Sequence, residues 1–180
     1  MVHPVTVEEP AAIGVDLGGS TLRVAWVSST GKILKHHKLQ LGDRHLEAVL
    51  DLLEQAVADL GSAPLPLPIG IGVAAQLWLE SGIIAVAPNL DWSDVPFLHL
   101  CQRRLQRPIR LVNDLNAIVY AETLAGAARG ARDVLCVYVG TGVGMGAVIS
   151  GELFEGADGL ATELGHIKVG SPHSGRPCGC

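Results

Sequence analysis

Two glycine-rich turns, Asp16-Leu17-Gly18-Gly19-Ser20-Thr21 and Gly140-Thr141-Gly142-Val143-Gly144, each follow an apolar stretch, and an Asn113-Asp114 pair lies between them in the chain. Glycine at such turns lets backbone N–H groups approach an anion with no side chain in the way, so the pattern points to a phosphate held between two similar halves. Asp114 is then a candidate to accept the proton of whatever attacks that phosphate. Asp16 ends an apolar strand, where a carboxylate is costly unless it meets a cation or donors. A magnesium ion on phosphates, reached through water, would supply one. The first turn lacks the Gly-Lys-Ser/Thr ending of a P-loop, which excludes a Walker-type NTPase.

Each feature also has a plainer explanation. Asp-x-Gly-Gly-Ser-Thr between strands suits an ordinary hairpin, and Asn113 or Asp114 suits the N-cap of a following helix. Further on, Glu163-Leu164-Gly165-His166 sets a carboxylate and an imidazole three residues apart, so one helical turn would point both the same way. Cys178-Gly179-Cys180 follows. Two thiolates and an upstream imidazole are the ligand types of a structural zinc site, although three ligands do not close a tetrahedron.

The elements that must position these groups are legible from periodicity. Ala12 to Asp16, Leu22 to Val27 and Lys32 to Leu39 read as a three-stranded meander. From His45 the period changes: Leu46, Val49, Leu50, Leu53, Val57 and Leu60 recur at helical steps, with Asp43 as N-cap and Gly61 as stop. A strand over Ile69 to Ala74, a hairpin around Ser81-Gly82, a helix from Pro96 to Leu105, a strand from Ile109 to Val112 and a helix from Leu115 to Leu124 follow. Strands alternating with crossover helices imply a partly parallel sheet. Val134 to Val139, a turn over Gly140 to Gly146, Ala147 to Ile149 and Glu152 to Phe154 then repeat the opening meander, with Ser150-Gly151-Glu152 answering Thr30-Gly31-Lys32.

With 180 residues, 48% hydrophobic and 17% charged, the chain can bury a substantial core. Lys and Arg number 13 against 18 Asp and Glu, with no block of like charge, so nothing recruits nucleic acid through its phosphates. The first residues hold neither a basic region nor an apolar signal core, and no apolar run reaches spanning length, which indicates a soluble, cytoplasmic protein without membrane partners. Cys101 and Cys136 lie in apolar patterns, which fits a reducing compartment better than a disulfide scaffold.

Taken in order, the motifs resemble the ROK family of bacterial sugar kinases and related repressors, over Ile13 to Cys180. Besides the segments above, Ala87-Pro88-Asn89-Leu90-Asp91-Trp92 and Asn113-Asp114-Leu115-Asn116-Ala117 carry the resemblance. It implies an α/β, actin-like (ribonuclease H-like) ATPase fold, a mixed sheet with crossover helices, divided into an N-terminal lobe over residues 1–112 and the start of a second lobe over 113–180. It implies that Asp114 is the general base on a sugar hydroxyl, with Asn89, Asn113, Glu163 and His166 holding the others. ATP phosphates would meet Gly18, Gly19, Ser20, Thr21, Gly140, Thr141, Gly142 and Gly144, with Asp16 near Mg2+. His166, Cys178 and Cys180 would hold Zn2+, and the partners would be a hexose, glucose by preference, and ATP, in a homo-oligomer when full length. The family's chains continue past Cys180, so the second lobe is expected to be incomplete and the region from Val134 loosely folded or aggregation-prone. Repressors of the family carry a DNA-binding segment in front, and a first strand near Ala12 leaves no room for one, which favours the kinase over a regulator or a non-catalytic sugar-binding fragment.

Overall fold

The computed structural model describes residues 8–63, 66–140 and 142–170. Strands β1 (Pro10–Leu17), β2 (Thr21–Ser28) and β3 (Ile33–Gln40) form the expected antiparallel meander. Helix α1 (Leu46–Asp59) crosses over to β4 (Ile69–Val73), which pairs with β1 in parallel. A small antiparallel sheet of β5 (Gln76–Trp78), β6 (Ile83–Ala87) and β7 (Trp92–Val95) leads into α2 (Phe97–Leu105) and β8 (Ile109–Asn113). The resulting five-stranded mixed sheet has the order β3-β2-β1-β4-β8.

Alternation along the strands decides the layers. Ile13, Val15, Leu17, Leu22, Val24, Ile69, Ile71 and Val73 turn to one face, where Val49, Leu50, Leu53, Ala56 and Val57 of α1 and Phe97 and Cys101 of α2 complete one buried core. Burial pushes the Cys101 thiol up to about 12, so it packs as a small hydrophobe. Gly72 faces the other way, toward Ala117 and Asp114 of α3 (Asp114–Ala125). Arg104 of α2 pairs with Glu47 and Asp51 and lies 3.5 Å from Glu54, an exposed clasp across α1 that adds little beside the apolar core.

Two local expectations are corrected. Asp43 is not the N-cap of α1: that position falls to His45, whose N–H donates to Asp43 Oδ1 at 2.9 Å, so the carboxylate closes a turn just before the helix. Gly61, with φ +96°, does end it, and Lys35 Nζ donates to the carbonyls of Asp59 and Leu60 at 3.1 and 2.8 Å. The second glycine segment is also shorter than its composition suggests. β9 (Val134–Val139) ends just before Gly140 and β10 (Val143–Ile149) begins just after Gly142, so Gly144 and Gly146 lie inside β10.

β9, β10 and β11 (Glu152–Leu153) form a second antiparallel meander in the order β11-β10-β9. The repeat extends to backbone detail: Gly31 and Gly151 take φ of +84° and +87° at matching turns. α3 packs on the face of β10 that carries Gly144 and Gly146, since a Cβ on Gly146 would stand 2.6 Å from the Leu115 carbonyl and 2.8 Å from Val119. The opposite face presents Leu135, Val137 and Val139 at 67, 52 and 74% exposure.

Candidate active site

β1, β4 and β8 run in parallel, and their carboxyl ends bring Asp16, Gly72, Val73, Val112 and Asn113 to one edge of the sheet. The edge of an open α/β sheet outside its strand carboxyl ends is where such folds hold ligands. Asp114 follows as the first residue of α3.

The cap of α3 is Asn113, not Asp114. Asn113 Oδ1 accepts from the N–H groups of Leu115 and Asn116 at 2.9 and 3.2 Å, and its Nδ2 donates to the Ala75 carbonyl at 3.2 Å. Asn113 is thereby locked, with its amide oxygen committed and one amide hydrogen left over. Because the neighbour caps the helix, Asp114 keeps an oxygen in hand. Its Oδ1 accepts from Leu115 N–H at 2.9 Å, while no hydrogen bond from another described residue reaches Oδ2. Burial raises its pKa above the usual carboxylate value; the N–H groups of Leu115 and of Asp114 itself pull the other way, and the negative charge of Asp16 adds to the rise. The result is a carboxylate more basic than usual at a strand end, with a second carboxylate in electrostatic range.

At the first turn, Gly18 N–H donates to the Thr21 carbonyl at 3.0 Å, and Leu41 N–H donates to the Ser20 carbonyl at 2.9 Å. The amides of Gly19 and Ser20 have no acceptor among the described residues. Gly19 is required sterically, since a Cβ there would lie 2.7 Å from Asn89 Cβ and 3.0 Å from the Asn89 carbonyl. Asn89 is exposed on the β6–β7 turn, between buried Ala87 and buried Leu90. That turn is anchored by Trp92, whose Nε1 donates to the Arg44 carbonyl at 2.8 Å and whose ring lies 5.3 Å from that of Phe97. Asn89 and the first turn are therefore brought together.

Asn113 and Glu163 line one small cavity of about 40 Å³ with Ala75, Asn116, Gly144 and Thr162. Glu163 precedes a 3₁₀ turn, Leu164–His166, and its Oε2 lies 3.6 Å from His166 Nε2, as three-residue spacing on a turn requires. Gly165 presses this turn onto β10, because a Cβ there would fall 2.0 Å from the Val143 carbonyl. Gly144 backs onto Leu115, one residue beyond Asp114, which gives that glycine a packing role. In the second turn, Gly140 N–H donates to the Gly142 carbonyl at 2.8 Å. Thr141, Cys178 and Cys180 lie outside the described residues. Among the described residues no three metal-ligating side chains cluster, and no helix is long and apolar enough to cross a membrane.

Three participants are not evident from sequence reasoning. Ala75 lends a carbonyl, which no side-chain pattern announces. Gly165 reads in sequence only as a spacer between Glu163 and His166. Arg23 pairs with Asp16 across β1 and β2. A cation between Leu22 and Val24 on a strand with a buried face is the available signal, since alternation places it beside Asp16.

Comparison with known proteins adds the context. Residues 12–180 match the ROK family. A glucokinase of Thermotoga maritima is 36% identical over 170 residues, 93% of this chain and 53% of the relative. A xylose repressor of Caldicellulosiruptor bescii is 31% identical over 173 residues, 93% of this chain and 43% of the relative. The crystal structure of a ROK family glucokinase from Streptomyces griseus, in complex with glucose and AMPPNP, superposes with a TM-score of 0.79 at 33% identity, covering 88% of this chain and 50% of that one. The chain thus spans about half the length of the curated relatives it matches. The fold is the actin-like ATPase fold that the motifs imply.

Proposed function

The chain belongs to the ROK family, and on that premise we propose that it forms the part of an ATP-dependent hexose kinase that carries the base and both phosphate turns, with glucose converted to glucose 6-phosphate as the preferred reaction. The observation that carries this is Asp114: a carboxylate just past the end of β8, made more basic by burial, with Oδ2 accepting from no other described residue, in electrostatic range of Asp16 and at the first residue of α3. Asp114 accepts the proton of the sugar hydroxyl as that oxygen bonds to the terminal phosphorus of ATP; the bond from phosphorus to the bridging oxygen breaks, and its electron pair leaves on ADP. Asn89, the remaining amide hydrogen of Asn113, Glu163 and His166 hold the other hydroxyls. Placement supports these roles, since Asn89 backs the first turn and Asn113 and Glu163 share a cavity.

Gly19 and Ser20 offer amides to phosphate, and the Gly140-Thr141-Gly142 turn is the second cradle. Asp16, a half-exposed carboxylate, suits the hard, oxygen-bound Mg2+ that accompanies ATP and neutralises phosphate charge. His166 with Cys178 and Cys180 offers the donor types of zinc, with a fourth ligand needed to close the site. The working protein in this reading is a cytoplasmic homo-oligomer, divided near Val112 into two lobes.

Asp114→Asn or Asp114→Ala is expected to lower phosphorylation by about two to four orders of magnitude while sugar affinity changes little. Coupled-assay turnover with glucose and ATP, beside calorimetry of sugar binding, measures both. Near-normal turnover in either variant removes the base. The 31% identity to a xylose repressor favours a second reading, a sugar-responsive regulator. Sugar binding with no turnover in the unmodified chain would support that one.

A further inference from the structure

Two departures from ordinary packing meet at the small cavity beside the first turn of α3. The first is Asn116, which is 6% exposed and whose carboxamide makes no hydrogen bond among the described residues. No fully enclosed polar side-chain atom of those residues lacks a partner, so this amide opens into the space that Asn116 lines. Three-residue spacing sets it on the side of α3 that carries Asn113, whose Oδ1 already accepts its backbone N–H. A buried carboxamide is costly to leave unpaired, and one that persists calls for a use. The second departure is Thr162, at φ 70°, a left-handed backbone that a β-branched residue seldom takes. Thr162 lines the same cavity. Strain of this kind gathers at ligand clamps, where the surroundings impose it.

The surroundings here are two pins. Gly159 lies against the small sheet, since a Cβ on it would stand 3.3 Å from the Leu77 carbonyl and 3.0 Å from the Leu79 side chain. Gly165 lies against the Val143 carbonyl. Thr162 and Glu163 hang between these contacts, facing the first turn of α3 across a cavity with room for about one water molecule. The polar side chains that line it are Gln76, Asn113, Asn116, Thr162 and Glu163. Gln76 is exposed, Asn113 is committed to the helix cap and to the Ala75 carbonyl, and the Thr162 hydroxyl donates to the Ala161 carbonyl. Asn116 is the donor left to face the Glu163 carboxylate.

We propose that Asn116 is a positioning residue of the sugar site: its carboxamide donates to the Glu163 carboxylate across this cavity when sugar is bound, and so aims the other Glu163 oxygen at a sugar hydroxyl. This rests on the kinase reading above, in which Glu163 holds a hydroxyl. A carboxylate has acceptor sites enough to meet an amide and a hydroxyl together. In the sugar-free chain the pinned arm stands off and the amide stays uncommitted. Sugar draws Glu163 inward, and the hydrogen bond then formed offsets the strain at Thr162.

The test is glucose affinity of the whole chain by calorimetry, for the unmodified protein, Asn116→Ala, Asn116→Asp, Glu163→Ala and the double variant Asn116→Ala with Glu163→Ala. Loss of a hydrogen bond to a charged group weakens glucose binding about tenfold in Asn116→Ala. Asn116→Asp keeps the shape but sets a second carboxylate against Glu163, so it binds more weakly still, whereas a packing role would give the reverse order. The double variant binds glucose within about twofold of Glu163→Ala alone, because the amide acts through that carboxylate; independent roles would add. This cycle also excludes action through the wider groove that Asn116 borders along α3. Without sugar, Asn116→Ala melts within about 3 °C of its parent, since the amide it loses is unpaired there, and a larger fall marks a structural side chain and overturns the proposal. Glucose affinity of Asn116→Ala within twofold of the parent, or a fully additive double variant, overturns the role of Asn116 and leaves the kinase reading standing. An unmodified chain that binds no glucose overturns the sugar site itself, and Asn116 with it.

Discussion

The two meanders share strand order, turn conformation and an apolar face, yet they end in opposite states. In β1–β3, Val15, Leu17, Leu22 and Val24 lie in a sealed core beneath α1 and α2. In β9–β11 the same kind of alternation leaves Leu135, Val137 and Val139 mostly exposed. Strand propensity and hairpin geometry are therefore sufficient to specify the meander but not the layer that covers it. Burial, worth about 25 cal/mol per Å² of apolar surface, is collected only where a second element arrives. The first meander stands on tertiary packing; the second stands on ladder hydrogen bonds and on α3.

The sharpest way to break this contrast is truncation of one apolar side chain on each side. Leu53→Ala, beneath the first sheet, is expected to cost about 2 to 5 kcal/mol in urea unfolding, whereas Val137→Ala on the open face should stay within about 0.5 kcal/mol. Equal losses would mean that the open face is covered in solution. A second comparison uses glycine. Gly146→Ala drives a Cβ against the Leu115 carbonyl and Val119, and should cost about 1 to 3 kcal/mol, while Gly70→Ala meets no atom within 4 Å and should be close to neutral. A Gly146→Ala protein as stable as its parent would show that α3 does not rest on β10.

The smallest expected effect concerns charge at the junction of the two sheets. Asp114 has a folded-state pKa above its unfolded value, from burial first and from Asp16 in addition. The folded protein therefore binds this proton more readily than the unfolded chain, so the group favours folding below its unfolded value and loses that contribution as pH rises through the folded one. Asp114→Asn should accordingly raise the thermal midpoint at neutral pH, and the advantage should shrink as the medium is acidified through the carboxylate range. A constant difference between variant and parent across that range would remove the electrostatic account.

Much of the fold is legible in the chain because period and burial coincide. α1 is found from Leu46 to Leu60 by its helical spacing, and both meanders by alternation, since nothing tertiary competes with the local pattern there. β7 is not, because Trp92-Ser93-Asp94-Val95 has no continuous apolar face, and Asp94 sits at φ 53°. Tertiary contacts hold it, namely Trp92 on Phe97 and on the Arg44 carbonyl. Gly144 and Gly146 read as turn because glycine usually marks one, whereas here a crossing helix needs the space. Within the site, Asp114 and Glu163 are findable from residue type and position. The division of labour between Asn113 and Asp114 is not, because either residue can cap a helix and only geometry decides which does.

The contact between Gly165 and the Val143 carbonyl has a mechanical corollary. Main chain touches main chain there, with no flexible side chain to absorb a displacement. The Glu163–His166 turn and the strand that begins at Val143 are thus geared together: a shift where β10 leaves its glycine turn is felt directly at the carboxylate and imidazole, and neither end can adjust to an occupant without informing the other.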